Sequence, residues 1–362
     1  MACSQGAFRL AGIRKSNCQD GQIRSNIVAV MSAPSRKILR EAPSIGPQGS
    51  TSVVSCFDRD SPREEITAGL TAPHAFVSPK YLYDRLGSRL FEAITELPEY
   101  YPTRTERGIL ATHARAISRL AGSGVTLIDL GAGNCEKARS LFGVLRPAQY
   151  VAVDIATECL QDALRGLRRA FPEVEILSLA IDFSAGLALP DTVRREKRLY
   201  FYPGSSIGNF SPGAALALLS DIRGQCGVGG GLLIGVDLVK STEILELAYD
   251  DPLGVTAAFN LNLLSHLNAL IGSDFDIRDW QHRAQFNDEL SRIEMHLEAK
   301  RDLTVTWAGG RRHFRCGERI HTENSYKYEQ EAFHGLLKQA GFNNVRIWTD
   351  DLHWFAVCLA SV

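Results

Sequence analysis

The sequence predicts an α/β protein with a doubly wound, Rossmann-like parallel sheet, and three observations lead to this prediction. Short apolar runs alternate with segments of helical spacing over residues 127–359. The first run leads into the turn Gly131-Ala-Gly, and residues 134–145 then have the spacing of a helix. Acidic residues stand at the ends of several runs. A buried strand that feeds a glycine turn and a helix forms the floor of a nucleotide-type pocket.

Each apolar run along the chain predicts one strand of this sheet. The predicted strands lie at residues 127–130, 150–153, 174–180, 198–202 and 231–238. The predicted helices lie at residues 134–145, 212–222 and 330–340. Two last runs, at residues 345–348 and 354–359, predict a closing hairpin.

The glycine turn indicates the kind of ligand that the sheet would hold. Glu136 stands where a dinucleotide-binding turn would carry its third glycine. S-adenosylmethionine has no pyrophosphate that needs a helix N-terminus, so the turn fits this ligand better. We expect the backbone at Gly131 to pass close to the ligand and Asp129 to hold its amino-acid end. Similar turns occur in doubly wound proteins with no ligand there, so the motif alone leaves both interpretations open.

Two more acidic residues follow the next strands. Asp154 can accept both ribose hydroxyls, and Asp182 can accept the adenine amino group, with the ring of Phe183 beside it. The alternative is that both aspartates cap the following helices, since Asp is a favoured N-cap. Acidic residues after successive strands beside a glycine turn favour a pocket. The closing hairpin is typical of the methyltransferase version of this sheet.

A second domain is predicted by the distance between the fifth strand and the closing helix, which is ~90 residues where a connection needs 2–6. This insertion carries a predicted helix and strands at residues 255–270, 292–297, 303–307 and 313–316. We place it in an α+β substrate-binding domain of residues 61–103 plus 239–326. The methyltransferase domain is then residues 104–238 plus 327–362.

Residues 1–60 differ from the rest in composition. They are rich in Ser, Arg, Gln and Gly, and prolines interrupt any long helix, so we expect a disordered tail without a secretory signal. Met31 is an alternative start, and the sequence does not decide between the two.

Composition narrows the function further. Lys and Arg number 40 against 41 Asp and Glu, so the net charge of −1 predicts no nucleic-acid partner. No apolar run reaches the ~20 residues of a membrane span. The 8 cysteines form no Cys-x-x-Cys pair, which predicts a reduced, cytoplasmic protein with no metal site. The oligomeric state stays open, with a monomer as one possibility.

Five longer motifs are more specific than the glycine turn. They lie at residues 78–106, 203–210, 249–260, 292–297 and 321–328. Examples are Pro203-Gly-Ser-Ser-Ile-Gly-Asn-Phe and His321-Thr-Glu-Asn-Ser-Tyr-Lys-Tyr. Together they resemble, in family order, the L-histidine Nα-methyltransferases, which form hercynine in ergothioneine biosynthesis. The resemblance covers the chain from about residue 70 to 362 and does not extend to residues 1–60.

This resemblance implies two sets of site residues. The set for the donor, S-adenosylmethionine, is Gly131, Lys137, Asp154, Asp182 and Phe183. The set for the substrate, L-histidine, is Tyr83, Tyr100, Asn209, Tyr249, Met295, Glu323 and Ser325. The donor loop departs from the family pattern at Cys135, where we expect a small hydroxyl residue, and this would leave a thiol next to the ligand.

The substrate residues also have chemical interpretations of their own. The Asn209 carbonyl can accept from the substrate amine, although Asn after Gly is also a common turn residue. Tyr100 and Tyr249 offer hydroxyls for the amino and carboxylate groups without adding charge, or they are packing residues. If residues 323 and 325 lie in a strand, Glu323 and Ser325 share one face and can meet the imidazole ring.

Met295 would line the ring's apolar side, or it fills a core. The predicted reaction is trimethylation of the α-amino group of L-histidine. A rival of the same fold methylates an indole-type amino acid, but an indole gains nothing from a carboxylate at Glu323. A second rival is a protein that binds S-adenosylmethionine without catalysis, which a product assay would distinguish.

Overall fold

The computed structural model describes residues 61–155 and 157–362, and these residues belong to one compact unit. The predicted tail of residues 1–60 and the alternative start at Met31 lie outside the described residues. Among the described residues, no helix is both long and apolar enough to cross a membrane.

Helices and strands follow one another along the described chain. The α-helices are α1 (Ser61–Thr71), α2 (Arg85–Thr95), α3 (Tyr101–Ala121), α4 (Glu136–Leu145), α5 (Thr157–Ala170), α6 (Pro212–Gln225), α7 (Thr242–Leu247), α8 (Val255–Ile271) and α9 (Gln330–Gln339). The strands are β1 (Ala75–Phe76), β2 (Thr126–Leu130), β3 (Gln149–Val153), β4 (Glu175–Leu179), β5 (Arg198–Tyr202), β6 (Gly231–Asp237), β7 (Trp280–Asn287), β8 (Arg292–Ala299), β9 (Leu303–Trp307), β10 (Gly310–Phe314), β11 (Arg319–Tyr326), β12 (Asn344–Thr349) and β13 (Phe355–Ser361). Short 3-10 helices occupy loops at Pro79–Leu82, Phe183–Ala185 and Ser206–Asn209.

The larger sheet has seven strands in the order β12-β13-β6-β5-β2-β3-β4. Strands β2 to β6 pair in parallel, whereas β13 runs antiparallel to both β6 and β12. Alternate strand residues enter two hydrophobic cores, one shared with α6 and α9 and the other with α3, α4 and α5. Burial on both faces explains why these strands are continuous apolar runs. The predicted doubly wound sheet and its closing hairpin are confirmed.

The chain passes from β2 to β3, its neighbour on one side within the sheet, and later enters β5, its neighbour on the other side. The carboxyl ends of β2 and β5 therefore flank a crevice, which is where ligands bind in open α/β sheets. This topology directs attention to the loops after β2, β3, β4, β5 and β6.

The smaller sheet has the order β1-β11-β8-β7, and one face packs on α8. The predicted helix in this region and the strands β8 and β9 are confirmed, while β10 begins three residues before the predicted run at 313–316. β7 was not predicted because its residues Gln281, Arg283 and Gln285 form part of a polar face, so its apolar signal is weak. The predicted domain boundary after residue 103 falls inside the continuous helix α3.

Candidate active site

The glycine turn after β2 leaves open space at the carboxyl edge of the large sheet. Gly131 and Gly133 have φ angles of 71° and 52°, which side chains other than glycine rarely adopt. A Cβ atom at either position would meet no other atom within 4 Å. The main chain itself borders this space, so the turn fits a ligand such as S-adenosylmethionine that lies against the backbone.

Asp154 at the end of β3 contacts this turn directly. Its Oδ2 accepts a hydrogen bond from the backbone N–H of Gly133 at 2.8 Å. The carboxylate therefore lies beside the open space, where a bond to the ribose hydroxyls of the donor requires it. The ribose role stays a prediction, now with a location that suits it.

Asp182 and Phe183, after β4, lie in a 3-10 turn. Oδ1 of Asp182 accepts from the backbone N–H of Ser184 at 3.1 Å, so this residue does act as a cap. Its Oδ2 pairs with Nζ of Lys80 at 3.0 Å. Burial alone would raise the pKa of the Asp182 carboxyl. The hydrogen bonds from Ser184 and Lys80 outweigh this effect, so the pKa is lowered overall and the group stays ionised. The Phe183 ring meets Tyr202 edge-on at 5.7 Å.

Lys137 in the first turn of α4 links the glycine turn to the loop after β5. Its Nζ pairs with Oε2 of Glu106 at 2.6 Å, and Glu106 is fully buried in α3. Oε1 of Glu106 accepts from the backbone N–H of Gly204 at 2.9 Å. The sequence prediction missed Glu106, although it ends the motif at residues 78–106.

One expectation about the donor loop stays a prediction and one is corrected. Asp129 is buried, its Oδ2 accepts from the Tyr150 hydroxyl at 2.7 Å, and its Oδ1 has no hydrogen-bond partner among the described residues, so its role at the amino-acid end of the donor stays a prediction. Burial raises the pKa of its carboxyl to about 7. Cys135 is also buried, and burial raises the pKa of its thiol to about 12. Its left-handed backbone at the start of α4 directs the thiol into the core, not toward the donor.

A cavity next to this edge brings together all the residues predicted to bind histidine. It measures about 470 Å³ with its opening to solvent. Its lining includes Tyr83, Tyr100, Asn209, Tyr249, Met295, Glu323 and Ser325. Gly204 also lines it, and a Cβ on Gly204 would lie 3.1 Å from Nζ of Lys137. The cavity and the glycine turn therefore meet at the loop after β5.

The aromatic wall of the cavity is held by edge-to-face contacts. Tyr100 meets Tyr249 at 6.0 Å between ring centroids, and Tyr83 meets Phe259 at 5.5 Å. Burial holds the pKa of all three tyrosine hydroxyls well above the usual value, so they stay protonated hydrogen-bond donors.

Close packing of the loop after β5 positions Asn209. A Cβ on Gly208 would lie 2.8 Å from the backbone oxygen of Tyr326, so only glycine lets the loop approach β11 this closely. The Asn209 side chain lies near the Glu323 carboxyl and lowers its pKa. An amide NH2 that donates to Glu323 leaves the carbonyl oxygen of Asn209 available as an acceptor for another group.

Glu323 and Ser325 lie in β11, as the two-residue spacing predicted if the segment was a strand. Met295 on β8 pairs directly with Glu323, and a register shift between His321 and Glu323 precedes this pair. Burial raises the pKa of the Glu323 carboxyl to about 7, against the lowering effects of the Lys327 charge and the Asn209 hydrogen bond. The carboxylate is thus a buried acceptor that lacks a full cationic partner of its own.

Behind the cavity lies a buried charged group that the sequence prediction missed. Nζ of Lys327 contacts Oδ2 of Asp237 at 2.8 Å, Oγ of Ser325 at 2.8 Å and Oη of Tyr249 at 3.0 Å. Asp237 also pairs with Lys240 at 2.7 Å. Lys327 continues the two-residue spacing of Glu323 and Ser325, and this spacing could have revealed it.

The sheet order, the glycine turn and the adjacent polar cavity define a class I S-adenosylmethionine-dependent methyltransferase. The chain belongs to the family of histidine-specific, S-adenosylmethionine-dependent methyltransferases, whose model matches residues 62–362. The family resemblance seen in the sequence motifs is confirmed.

Three named relatives illustrate this membership. The chain is 39% identical over 304 residues to a histidine N-alpha-methyltransferase of Mycolicibacterium smegmatis, covering 82% of this chain and 94% of that protein. It is 37% identical over 312 residues to a histidine N-alpha-methyltransferase of Mycobacterium tuberculosis, covering 83% and 94%. It is 30% identical over 277 residues to ergothioneine biosynthesis protein 1 of Schizosaccharomyces pombe, covering 73% of this chain and 36% of that longer protein.

Proposed function

We propose that this protein transfers three methyl groups from S-adenosylmethionine to the α-amino group of L-histidine and forms hercynine, the first step of ergothioneine biosynthesis. The observation that carries the proposal is the convergence of all the predicted histidine-binding residues on one cavity beside the glycine turn. The names of the mycobacterial relatives and of the fission-yeast relative support the substrate and the pathway.

The imidazole ring is bound at β11 and β8. The Glu323 carboxylate accepts from a ring N–H, and the Ser325 hydroxyl lies two residues along the same strand face. Met295, opposite Glu323, packs against the ring. A buried carboxylate whose pKa is raised gains a hydrogen-bond donor when histidine binds. A phenyl ring has no N–H to donate, and an indole has an N–H but no lone-pair nitrogen, so neither matches imidazole at both positions.

The amino group is bound near the loop after β5. The free carbonyl of Asn209 accepts from the amine, while Tyr100 and Tyr249 offer protonated hydroxyls to the amino-acid end. Only a neutral amine has the lone pair that attacks, so the cavity holds the amine after its proton has passed to solvent. The trimethylated nitrogen has no lone pair, and this ends the reaction.

The donor site comprises the glycine turn and the loops after the neighbouring strands. Its residues are Gly131, Lys137, Asp154, Asp182 and Phe183. S-adenosylmethionine supplies an electrophilic methyl group on its sulfonium. We also propose that the enzyme is cytoplasmic. The division into a substrate domain and a methyltransferase domain is supported by the separate core that residues of 66–101 and 245–320 share.

Mass spectrometry of the purified protein with S-adenosylmethionine and either histidine or tryptophan tests this function. We expect mono-, di- and trimethylhistidine in succession, no fourth methylation and no methylated tryptophan. Asn209→Ala, which removes the amine acceptor, is the control that should lose most of the product. Methylated tryptophan without methylated histidine would favour the indole-type alternative. Donor binding without any product would favour a non-catalytic protein.

A further inference from the structure

Lys327 lies directly behind the wall of the substrate cavity. Its side chain is completely buried, and it follows β11 with the same two-residue spacing as Glu323 and Ser325. Its ammonium group has three proton donors and three partners, the carboxylate of Asp237 and the hydroxyl oxygens of Ser325 and Tyr249. All three donors are therefore used, and none is left for the substrate itself.

These contacts restrict the two hydroxyl groups. Ser325 and Tyr249 each carry one hydroxyl proton, and their oxygens lie 2.8 Å apart. Because both oxygens already accept from Lys327, only one of the two protons is used in the bond between them. The other proton has to find an acceptor elsewhere. Both side chains line the cavity, where the available acceptors are the Tyr100 hydroxyl beside Tyr249 and a group of the bound amino acid.

Several charged groups surround Lys327. Asp237 is shared by Lys327 and Lys240, and the Tyr101 hydroxyl also donates to it at 2.7 Å. Two lysines thus share this one buried anion, and the Asp350 carboxylate also acts on Lys240. Glu323 is the titratable carboxyl of the wall, and the Lys327 charge lowers its pKa against the effect of burial.

We propose that Lys327 is a positioning residue for substrate recognition, which holds Ser325 and Tyr249 so that one hydroxyl donates to the substrate opposite the Glu323 acceptor. The acceptor on the substrate is the lone-pair nitrogen of the imidazole or the carboxylate. A neutral imidazole has one N–H and one lone-pair nitrogen, so a site with one fixed acceptor and one fixed donor matches the ring at both nitrogens. This inference rests on the proposed histidine methylation.

The test compares Lys327→Met with Lys240→Met in the full-length protein. Each variant removes one cation from the same buried group, but Lys240 contacts Asp237 and Tyr101 and, among the described residues, makes no hydrogen bond to either cavity hydroxyl. Loss of a hydrogen bond to a charged group corresponds to roughly 10–150-fold in affinity. We expect Lys327→Met to raise the KM for histidine by about that factor, with the larger change in KM rather than kcat. Lys240→Met should change the KM for histidine far less, because Lys240 touches neither cavity hydroxyl.

Calorimetry with S-adenosylhomocysteine controls for folding, because the donor site should bind equally in all variants. If Lys327→Met does not fold, Lys327→Gln takes its place, because the glutamine amide still donates at the same position. Its loss of affinity for histidine should be smaller than the loss expected for Lys327→Met. Histamine, which lacks the carboxylate, distinguishes the two acceptors: a loss for both histidine and histamine assigns the ring nitrogen, and a loss for histidine alone assigns the carboxylate.

The pH profile gives a second readout. Without the Lys327 charge, the pKa of Glu323 should rise. Histidine affinity falls when Glu323 becomes protonated, so in Lys327→Met this fall should begin at a higher pH than in wild type. The shift should be smaller in Lys240→Met. An unchanged KM in Lys327→Met, or equal losses in the two lysine variants, would overturn the inference. Absence of histidine turnover by the wild-type protein would instead count against the proposed function.

Discussion

The donor side and the substrate side of this site are built in different ways. Around the glycine turn, the carboxylates of Asp154 and Asp182 are partly exposed and bond to nearby backbone N–H groups, and the pKa of Asp182 is lowered. In the substrate cavity, the Glu323 carboxyl is buried, its pKa is raised, and Lys327 acts on it by its charge without a salt bridge among the described residues. The donor side is therefore prepared to bind by local backbone geometry, whereas the substrate side stays electrostatically incomplete until a ligand with the right hydrogen bonds enters.

The largest effect is expected when the hydrogen-bond acceptor of the substrate cavity is removed. Glu323→Ala combined with Met295→Val removes the acceptor and widens the cavity opposite it. Because a site built to hydrogen-bond its substrate rejects analogues that lack the bond, we expect histidine turnover to fall by at least about 1000-fold. Tryptophan methylation should appear.

Competition assays with both amino acids measure this change of preference. Met295→Val alone is the matched control and should still prefer histidine. Retained histidine preference in the double variant would reduce Glu323 to a charge without a role in recognition.

A smaller effect is expected on the donor side. Asp154→Ala removes the carboxylate that contacts Gly133, and a hydrogen bond to a charged group is worth ~1.5–3 kcal/mol, so the donor affinity should fall roughly 10–150-fold. The preference for histidine over tryptophan should not change. Calorimetry with S-adenosylmethionine measures the affinity, and Asp162→Ala, an exposed carboxylate on α5, is the control. Wild-type affinity in Asp154→Ala would limit this residue to shaping the turn.

The smallest effect concerns stability and sharpens the contrast between the two sides. The pKa of the Glu323 carboxyl rises from 4.5 to about 7 on folding, so the folded chain binds the extra proton between these pH values. Stability is therefore lost as the pH rises from 4.5 through 7, by at most about 3 kcal/mol. Glu323→Gln should remove this loss and raise the Tm of the ligand-free protein by several degrees at pH 8, with little difference near pH 4.5.

Glu298→Gln on the same strand pair is the matched control for this measurement. The pKa of Glu298 is lowered by hydrogen bonds from Arg319 and Gln281, in spite of some burial, so its substitution should destabilise the protein above pH 4.5. Thermal melts over this pH range that show the same sign for both variants would contradict the raised pKa of Glu323.

Much of the large sheet was predictable because its signals are local. Five strands with their apolar runs, the glycine turn and the closing hairpin all lie where the pattern placed them. Cys135 was misplaced because a sequence shows that a residue lies in a turn but not which side of the turn its side chain faces. The core beneath the turn takes the Cys135 side chain.

The substrate cavity was predictable only through family motifs. Its residues come from the segments before α3, after β5, after α7, and from β8 and β11, which no local pattern brings together. The polar sequence of β7 and the polar face of β11 hid two strands of the smaller sheet, since alternation is read from apolar residues. Glu106 carries no signal of its own, because its importance lies in what it contacts, and Lys327 is indicated only by its two-residue spacing from Glu323 and Ser325.

The sequence by itself determined the doubly wound sheet, the position of the glycine turn and the family, because strand burial, turn geometry and motif order are properties of neighbouring residues. Only the tertiary structure decided that Lys137 meets Glu106, that Asp182 meets Lys80, and that two lysines share Asp237 behind the cavity. Apart from Asp237 and Lys240, which lie three residues apart, these contacts join residues far apart in the chain. Their energies depend on burial and distance, which exist only once the chain has folded.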